Sequence, residues 1–277
     1  MRYLQILIFL WLAFCSHAGT YVQFRTIYGD IEVELYDQDK PLTVQNFLRY
    51  TKAGAYRDTF FHRCVPNFVV QGGGFFITTR TNEMNFVNAV PVPSFGAISN
   101  EFGVGRRLSN TFGTIAMAKV GGDTNSATSQ WYFNTVNNTF LDANNSNNLF
   151  VVFGKVLRGT NILSDFNTRG PGFGIYTNIG GVFGSLPVTY VGTYYPYYTE
   201  LIYVDVSLLN VQVKLTNSLR EISWNSVSNQ VNQVQFTTNF PPVWQTLAST
   251  NGTGGTLKVT DAATNTPQRF YRVNVLY

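Results

Sequence analysis

The reading of this chain turns on Phe60-Phe61-His62-Arg63-Cys64-Val65-Pro66-Asn67-Phe68-Val69-Val70-Gln71-Gly72-Gly73-Gly74. From Phe60 to Gln71 the segment is dense in aromatics and valine, the composition of paired strands, and three glycines end it. No Lys-Ser or Lys-Thr follows the glycines, so they read as a tight turn and not as a phosphate cradle. Cys64 alternates toward the interior and reads as a small buried hydrophobe.

The surroundings extend the β pattern. Tyr21 to Thr26 and Ile31 to Tyr36 alternate about Tyr28-Gly29-Asp30, an opening hairpin. Pro41 suits the first turn of a helix running to about Ala53, with Val44, Phe47, Leu48 and Thr51 on its buried face. Thr78 to Asn110 reads as mostly loop. Thr114 to Lys119, Gln130 to Asn134 and Phe150 to Val156 read as strands between polar loops. Thr160 to Phe166 is a short helix, Tyr176 to Tyr198 loop plus an edge strand, and Leu201 to Leu209 a final strand.

Composition narrows the classes. Among 277 residues only 12% are charged, about half the usual share, while aromatics reach 16%. That excludes a disordered chain and a long solvated helix. Solubility must rest on uncharged polar groups, including 27 Asn. A net charge of +4 without a run of Lys or Arg argues against nucleic-acid binding. Two Cys and two His without a carboxylate cluster make no zinc site.

Three stretches join the first. They are Gly113-Thr114-Ile115-Ala116-Met117-Ala118-Lys119, then Ser126-Ala127-Thr128-Ser129-Gln130-Trp131-Tyr132-Phe133-Asn134, then Phe140-Leu141-Asp142 with Phe150-Val151-Val152-Phe153-Gly154-Lys155-Val156. In order and spacing the four blocks resemble the cyclophilin-type peptidyl-prolyl cis-trans isomerases, over about Thr20 to Asn210. Asn100-Glu101-Phe102 followed by Leu108-Ser109-Asn110-Thr111 resembles the bacterial branch.

The resemblance implies a mainly β fold, a closed eight-stranded antiparallel barrel capped by two helices. It implies Arg63 as the catalytic arginine. Phe68, Val69, Tyr132, Phe140, Leu141 and Phe150 would line a proline pocket. Gln71, Ala118 and Gln130 would bind the peptide around the proline, and the Lys119 main chain would hydrogen-bond it. His62 would be a packed structural residue. The implied ligands are proline-containing segments of unfolded or exported proteins, with no cofactor and no metal. Val69 stands where the family commonly has Met, Tyr132 where Phe is usual, and Phe140 where many eukaryotic members have Trp. The first shortens the pocket wall, the second adds a hydroxyl at the pocket, and the third implies weak cyclosporin binding. A rival reading keeps the barrel as a non-catalytic peptide-binding or adhesion protein.

The ends carry other signals. Arg2, the apolar run Leu4 to Phe14 and Ser16-His17-Ala18 read as a secretory leader, residues 1–18, cut after Ala18. An uncleaved membrane-proximal helix, or a lipidated Cys15, are the alternatives. Eleven residues rise about 16 Å as a helix, short of a bilayer core of about 30 Å, so no stable span is expected. The leader implies a periplasmic or secreted protein, with Cys64 left alone and no intramolecular disulfide. From Val211 to Tyr277 the alternation resembles a small fibronectin-III-like or immunoglobulin-like β-sandwich, with Trp224 and Trp244 in its core and an unknown partner.

Overall fold

The computed structural model describes residues 20–78, 89–143, 149–192, 195–209, 211–216, 219–226, 231–239, 242–253, 256–262 and 268–276. The expected leader, with Cys15, lies outside the described residues. No helix among the described residues is long and apolar enough to cross a membrane.

In chain order the first unit contains β1 (Tyr21–Thr26), β2 (Gly29–Leu35), α1 (Pro41–Lys52), β3 (Thr59–Phe60), β4 (Arg63–Val65), β5 (Val69–Gly72), β6 (Phe75–Ile77) and β7 (Ala89–Pro91). It continues with β8 (Thr114–Met117), β9 (Trp131–Asn134), β10 (Val152–Arg158), α2 (Thr160–Thr168), β11 (Gly174–Tyr176), β12 (Leu186–Val188) and β13 (Tyr203–Leu209). One antiparallel sheet runs β4-β5-β9-β8-β10-β2-β1-β13-β3-β6-β7. The sheet curls, because residues 59–65 serve both of its regions. Tyr203 pairs with Phe60, and Arg63 pairs with Gln71.

The predicted helices and most strands are present. β7 interrupts the stretch expected to be loop, and β11–β12 form a separate two-stranded sheet. On α1 the buried face is Thr43, Val44, Asn46, Phe47 and Tyr50. Leu48 and Thr51 are only partly covered. The face turns because the Tyr50 ring enters the core beside Tyr56 while its hydroxyl accepts from Phe95 N–H at 2.7 Å.

The concave side of the sheet is filled by aromatic rings. Trp131, wholly buried, meets Phe24 edge-on at 4.8 Å, Phe133 at 5.5 Å, Phe61 at 5.7 Å and Tyr56 at 6.3 Å. Its indole explains two of the three glycines. A Cβ on Gly72 would lie 2.6 Å from Trp131 Cη2, and one on Gly73 2.5 Å from its Nε1. Gly73 also holds φ +71°, a left-handed conformation that glycine adopts without cost.

Two buried charged side chains tie a distant loop to α1. Glu101 accepts from Leu42 N–H at 3.0 Å and from Thr43 N–H and Oγ1 at 2.7 Å, satisfying amides at the start of the helix. Lys40, 1% exposed, donates Nζ to the carbonyls of Glu101 at 3.0 Å, Arg106 at 2.9 Å and Val104. The Asn100-Glu101-Phe102 motif is therefore structural.

The C-terminal stretch forms β14 (Gln212–Thr216), β15 (Leu219–Asn225), β16 (Val231–Thr237), β17 (Gln245–Asn251), β18 (Thr256–Asp261) and β19 (Phe270–Leu276). They make two three-stranded sheets, β14-β15-β18 and β17-β16-β19. Ile222, Trp224 and Val234 are buried together, with Leu247, Val259 and Val273 packed around them. Trp224 donates Nε1–H to Asn232 Oδ1 at 3.0 Å. Trp244 departs from expectation. It lies just before β17 and is only partly covered, with the Arg272 guanidinium 4.4 Å from its ring centre.

Replacing Glu101 by Gln removes one of the two carboxylates, with Asp39, whose charge favours charged Lys40, and weakens three accepted hydrogen bonds. Glu101→Gln is expected to lose about 2 kcal/mol of unfolding free energy, seen as a lower urea midpoint at unchanged slope.

Candidate active site

Strand alternation sorts the informative residues to two sides. On β9, Trp131 and Phe133 join the aromatic core, while Tyr132 packs outward with Val69, Ala116, Leu141 and Val152. On β5, Val70 goes inward, and Val69 belongs to the outer cluster. The register pairs Gln71 with Tyr132 and Gly72 with Trp131, so the core and the outer site share one alignment.

The outer cluster forms a small apolar wall. Phe68, Ala118 and Phe150 are partly buried against it. Phe150 meets Tyr132 edge-on at 5.9 Å. Phe140 stacks on Phe68 at 5.7 Å but is 57% exposed, so it stands at the rim of the wall. Lys119 Nζ lies 4.3 Å from the Phe150 ring centre, and partial burial lowers its pKa.

A polar row borders this wall. Arg63 Nη1 donates to Gln71 Oε1 at 3.5 Å, and Gln71 Nε2 donates to Gln130 Oε1 at 2.7 Å. The Arg63 guanidinium is half-buried, 5.7 Å from the Phe68 ring centre. Burial lowers its pKa, but an arginine this accessible stays charged. Thus Arg63, Gln71, Gln130, Phe68, Val69, Tyr132, Leu141, Ala118, Phe150, Lys119 and Phe140 fall in one region, although they come from β4, β5, β9 and three loops.

The hydroxyl of Tyr132 is turned away from the pocket that the sequence reading gave it. It donates to Asn110 Oδ1 at 2.8 Å, inside a buried network. Asn110 Oδ1 also accepts from Asn134 Nδ2 at 3.1 Å, and Asn110 Nδ2 donates to Asp142 Oδ1 at 2.7 Å. Asn138 Nδ2 donates to Asn134 Oδ1 and to Phe68 O, both at 2.8 Å. These asparagines brace the wall from behind. Sequence reasoning counted Asn110 and Asn138 as loop residues, since nothing local in a polar loop says which amides will be buried.

His62 and Cys64 are packed, 2% and 1% exposed. Cys64 is a free thiol that burial pushes up to about 12, so it is no nucleophile near neutrality. No cluster of three or more metal-ligating side chains occurs among the described residues.

Burial pushes His62 down to about 4 from 6.5, against a raising hydrogen bond with Gln130. Above pH 6.5 native and unfolded chains both carry it neutral. Below that, the unfolded chain takes up a proton that the native chain refuses, so stability falls with falling pH. Between pH 6.5 and 5 the expected loss is about 2 kcal/mol. Urea unfolding across that window checks it, and His62→Gln should flatten the slope.

The comparisons agree with this geometry. The family model described as cyclophilin type peptidyl-prolyl cis-trans isomerase/CLD matches residues 21–173. A peptidyl-prolyl cis-trans isomerase of Acinetobacter baylyi is 39% identical over 163 residues, 58% of this chain and 80% of the relative. Isomerase A of Dickeya dadantii is 38% identical over 54% of this chain and 72% of its own. Isomerase B of Escherichia coli is 34% identical over 60% and 92%. With the family's match spanning more than half of its length, and carrying the strands that hold Arg63, Gln71 and Tyr132, this chain belongs to the cyclophilin-type peptidyl-prolyl cis-trans isomerases.

Proposed function

We propose that the chain accelerates rotation about X–Pro bonds in exported or envelope proteins, with Arg63 stabilising the twisted amide. The observation that carries this is the half-buried Arg63 guanidinium, oriented by Gln71 beside the apolar wall of Val69, Tyr132 and Leu141.

Rotation about the peptide bond costs about 18–20 kcal/mol because resonance is lost. At the twisted geometry the prolyl nitrogen regains a lone pair, which accepts a hydrogen bond better than the planar amide does. A donor aimed at that nitrogen therefore favours the transition state over both planar isomers. The wall holds the prolyl ring while the preceding carbonyl swings. No bond is broken and no proton is moved, which suits a site whose histidine stays neutral and whose thiol stays protonated near neutrality.

Finer architecture follows the same reading. Residues 59–65 pair with β13 at one end and β5 at the other, which supports a closed barrel with that stretch as one of eight staves. The two C-terminal sheets around Trp224 support a small sandwich. The expected leader, residues 1–18, supports export, and a fusion of that segment to a reporter active only outside the cytoplasm tests it.

The decisive experiment is an NMR exchange assay on X–Pro peptides with the full chain and Arg63→Ala. The variant is expected to lose about 10²- to 10³-fold in kcat/KM. Proline peptides that bind without exchange in either protein would replace this reading with a non-catalytic binding module.

A further inference from the structure

The polar row of Arg63, Gln71 and Gln130 also borders a cavity. It is a cleft of about 410 Å³ bordered by His62, Arg63, Gln71 and Gln130 on one side and by residues 181–185 on the other. Those last residues lie beyond the family match, which ends at 173. It is anchored. Cys64 N–H donates to Ser185 O at 2.7 Å, setting the segment along β4. Phe183 packs against Phe75 at 4.8 Å and Phe60 at 6.3 Å. Val182, 56% exposed, is left at the lip.

The polar groups facing the cleft lean one way. Arg63 is its only charged lining residue, and no acidic side chain lines it among the described residues. The guanidinium is desolvated in part, with Gln71 as its side-chain partner and no ion pair among the described residues. Five N–H donors exceed what Gln71 and one prolyl nitrogen can take. We infer that this cleft is a subsite for an acidic side chain on a residue next to the proline, built from residues 181–185 and the outer edge of the Arg63 fork.

The inference rests on the isomerase reading, since the proline must occupy the apolar wall for its neighbour to reach across Arg63. A carboxylate there binds in the planar and twisted states alike. Uniform binding lowers KM and leaves kcat nearly unchanged. An accessible ion pair of this kind yields about fivefold at low salt and is screened by salt.

The test uses the full chain and peptides with Glu, Gln, Lys or Ala placed directly before or directly after the proline. The expected result is a KM about fivefold lower for Glu than for Gln at one of the two positions, with kcat within about twofold. About 0.5 M sodium chloride should erase the difference. Val182→Glu, which sets a competing charge at the lip, should abolish it, and Val182→Lys should widen it. Equal KM values for Glu and Gln at both positions, with Ala peptides still isomerised, overturn the subsite and leave the isomerase reading standing. A Glu preference that survives in Val182→Glu overturns it as well. Failure to isomerise any peptide removes both.

Discussion

The indole of Trp131 is the constraint on which the rest of the first unit depends. It fills the concave side of the curled sheet, edge-on to four other aromatic rings. Its bulk requires glycine at 72, the end of the neighbouring strand, and at 73 just beyond it. A slip of one residue between β5 and β9 would drive a side chain into the indole and turn every core residue to solvent. The same register sets Gln71 opposite Tyr132 and keeps Gln130 within 2.7 Å of Gln71. Core packing thus aligns the outer site. The indole Nε1–H is buried without a hydrogen-bond partner, a cost that the surrounding aromatic packing must offset.

With few charges available, the chain braces its site with amides. Asn110, Asn134 and Asn138 carry the load that ion pairs carry elsewhere, tying Tyr132, Asp142 and the Phe68 carbonyl into one buried network. Neutral donors and acceptors suit this position. They are cheaper to bury than charges and leave the field around Arg63 undisturbed. Lys40 and Glu101 add buried charges where α1 meets the loop that leads into the asparagine network.

The site's chemistry is one of restraint. A histidine and a cysteine flank Arg63 in sequence, yet both are packed away, one held neutral and the other held protonated. What remains accessible is a permanent charge beside an apolar wall. That combination suits a conformational reaction, in which a transition state is favoured by a donor and no covalent step competes.

Much of this could be read before folding was considered. Pro41, the alternation of Tyr21 to Thr26 and the aromatic density of Phe60 to Gln71 speak through local sterics, so the helix and strands followed from them. The four motif blocks carried the site residues, because strand alternation places Arg63, Gln71 and Tyr132 on a common side. Tyr50 in place of Thr51, the half-covered Trp244 and the inward Tyr132 hydroxyl were decided by partners far along the chain, such as Phe95 for Tyr50 and Asn110 for Tyr132. The cleft wall at residues 181–185 is the extreme case. Its glycines and valine say nothing locally, and only the bond from Cys64 to Ser185 and the docking of Phe183 bring them beside Arg63. Local sterics and periodicity lie in the sequence by itself, whereas long-range partnership exists only once the chain has closed on itself.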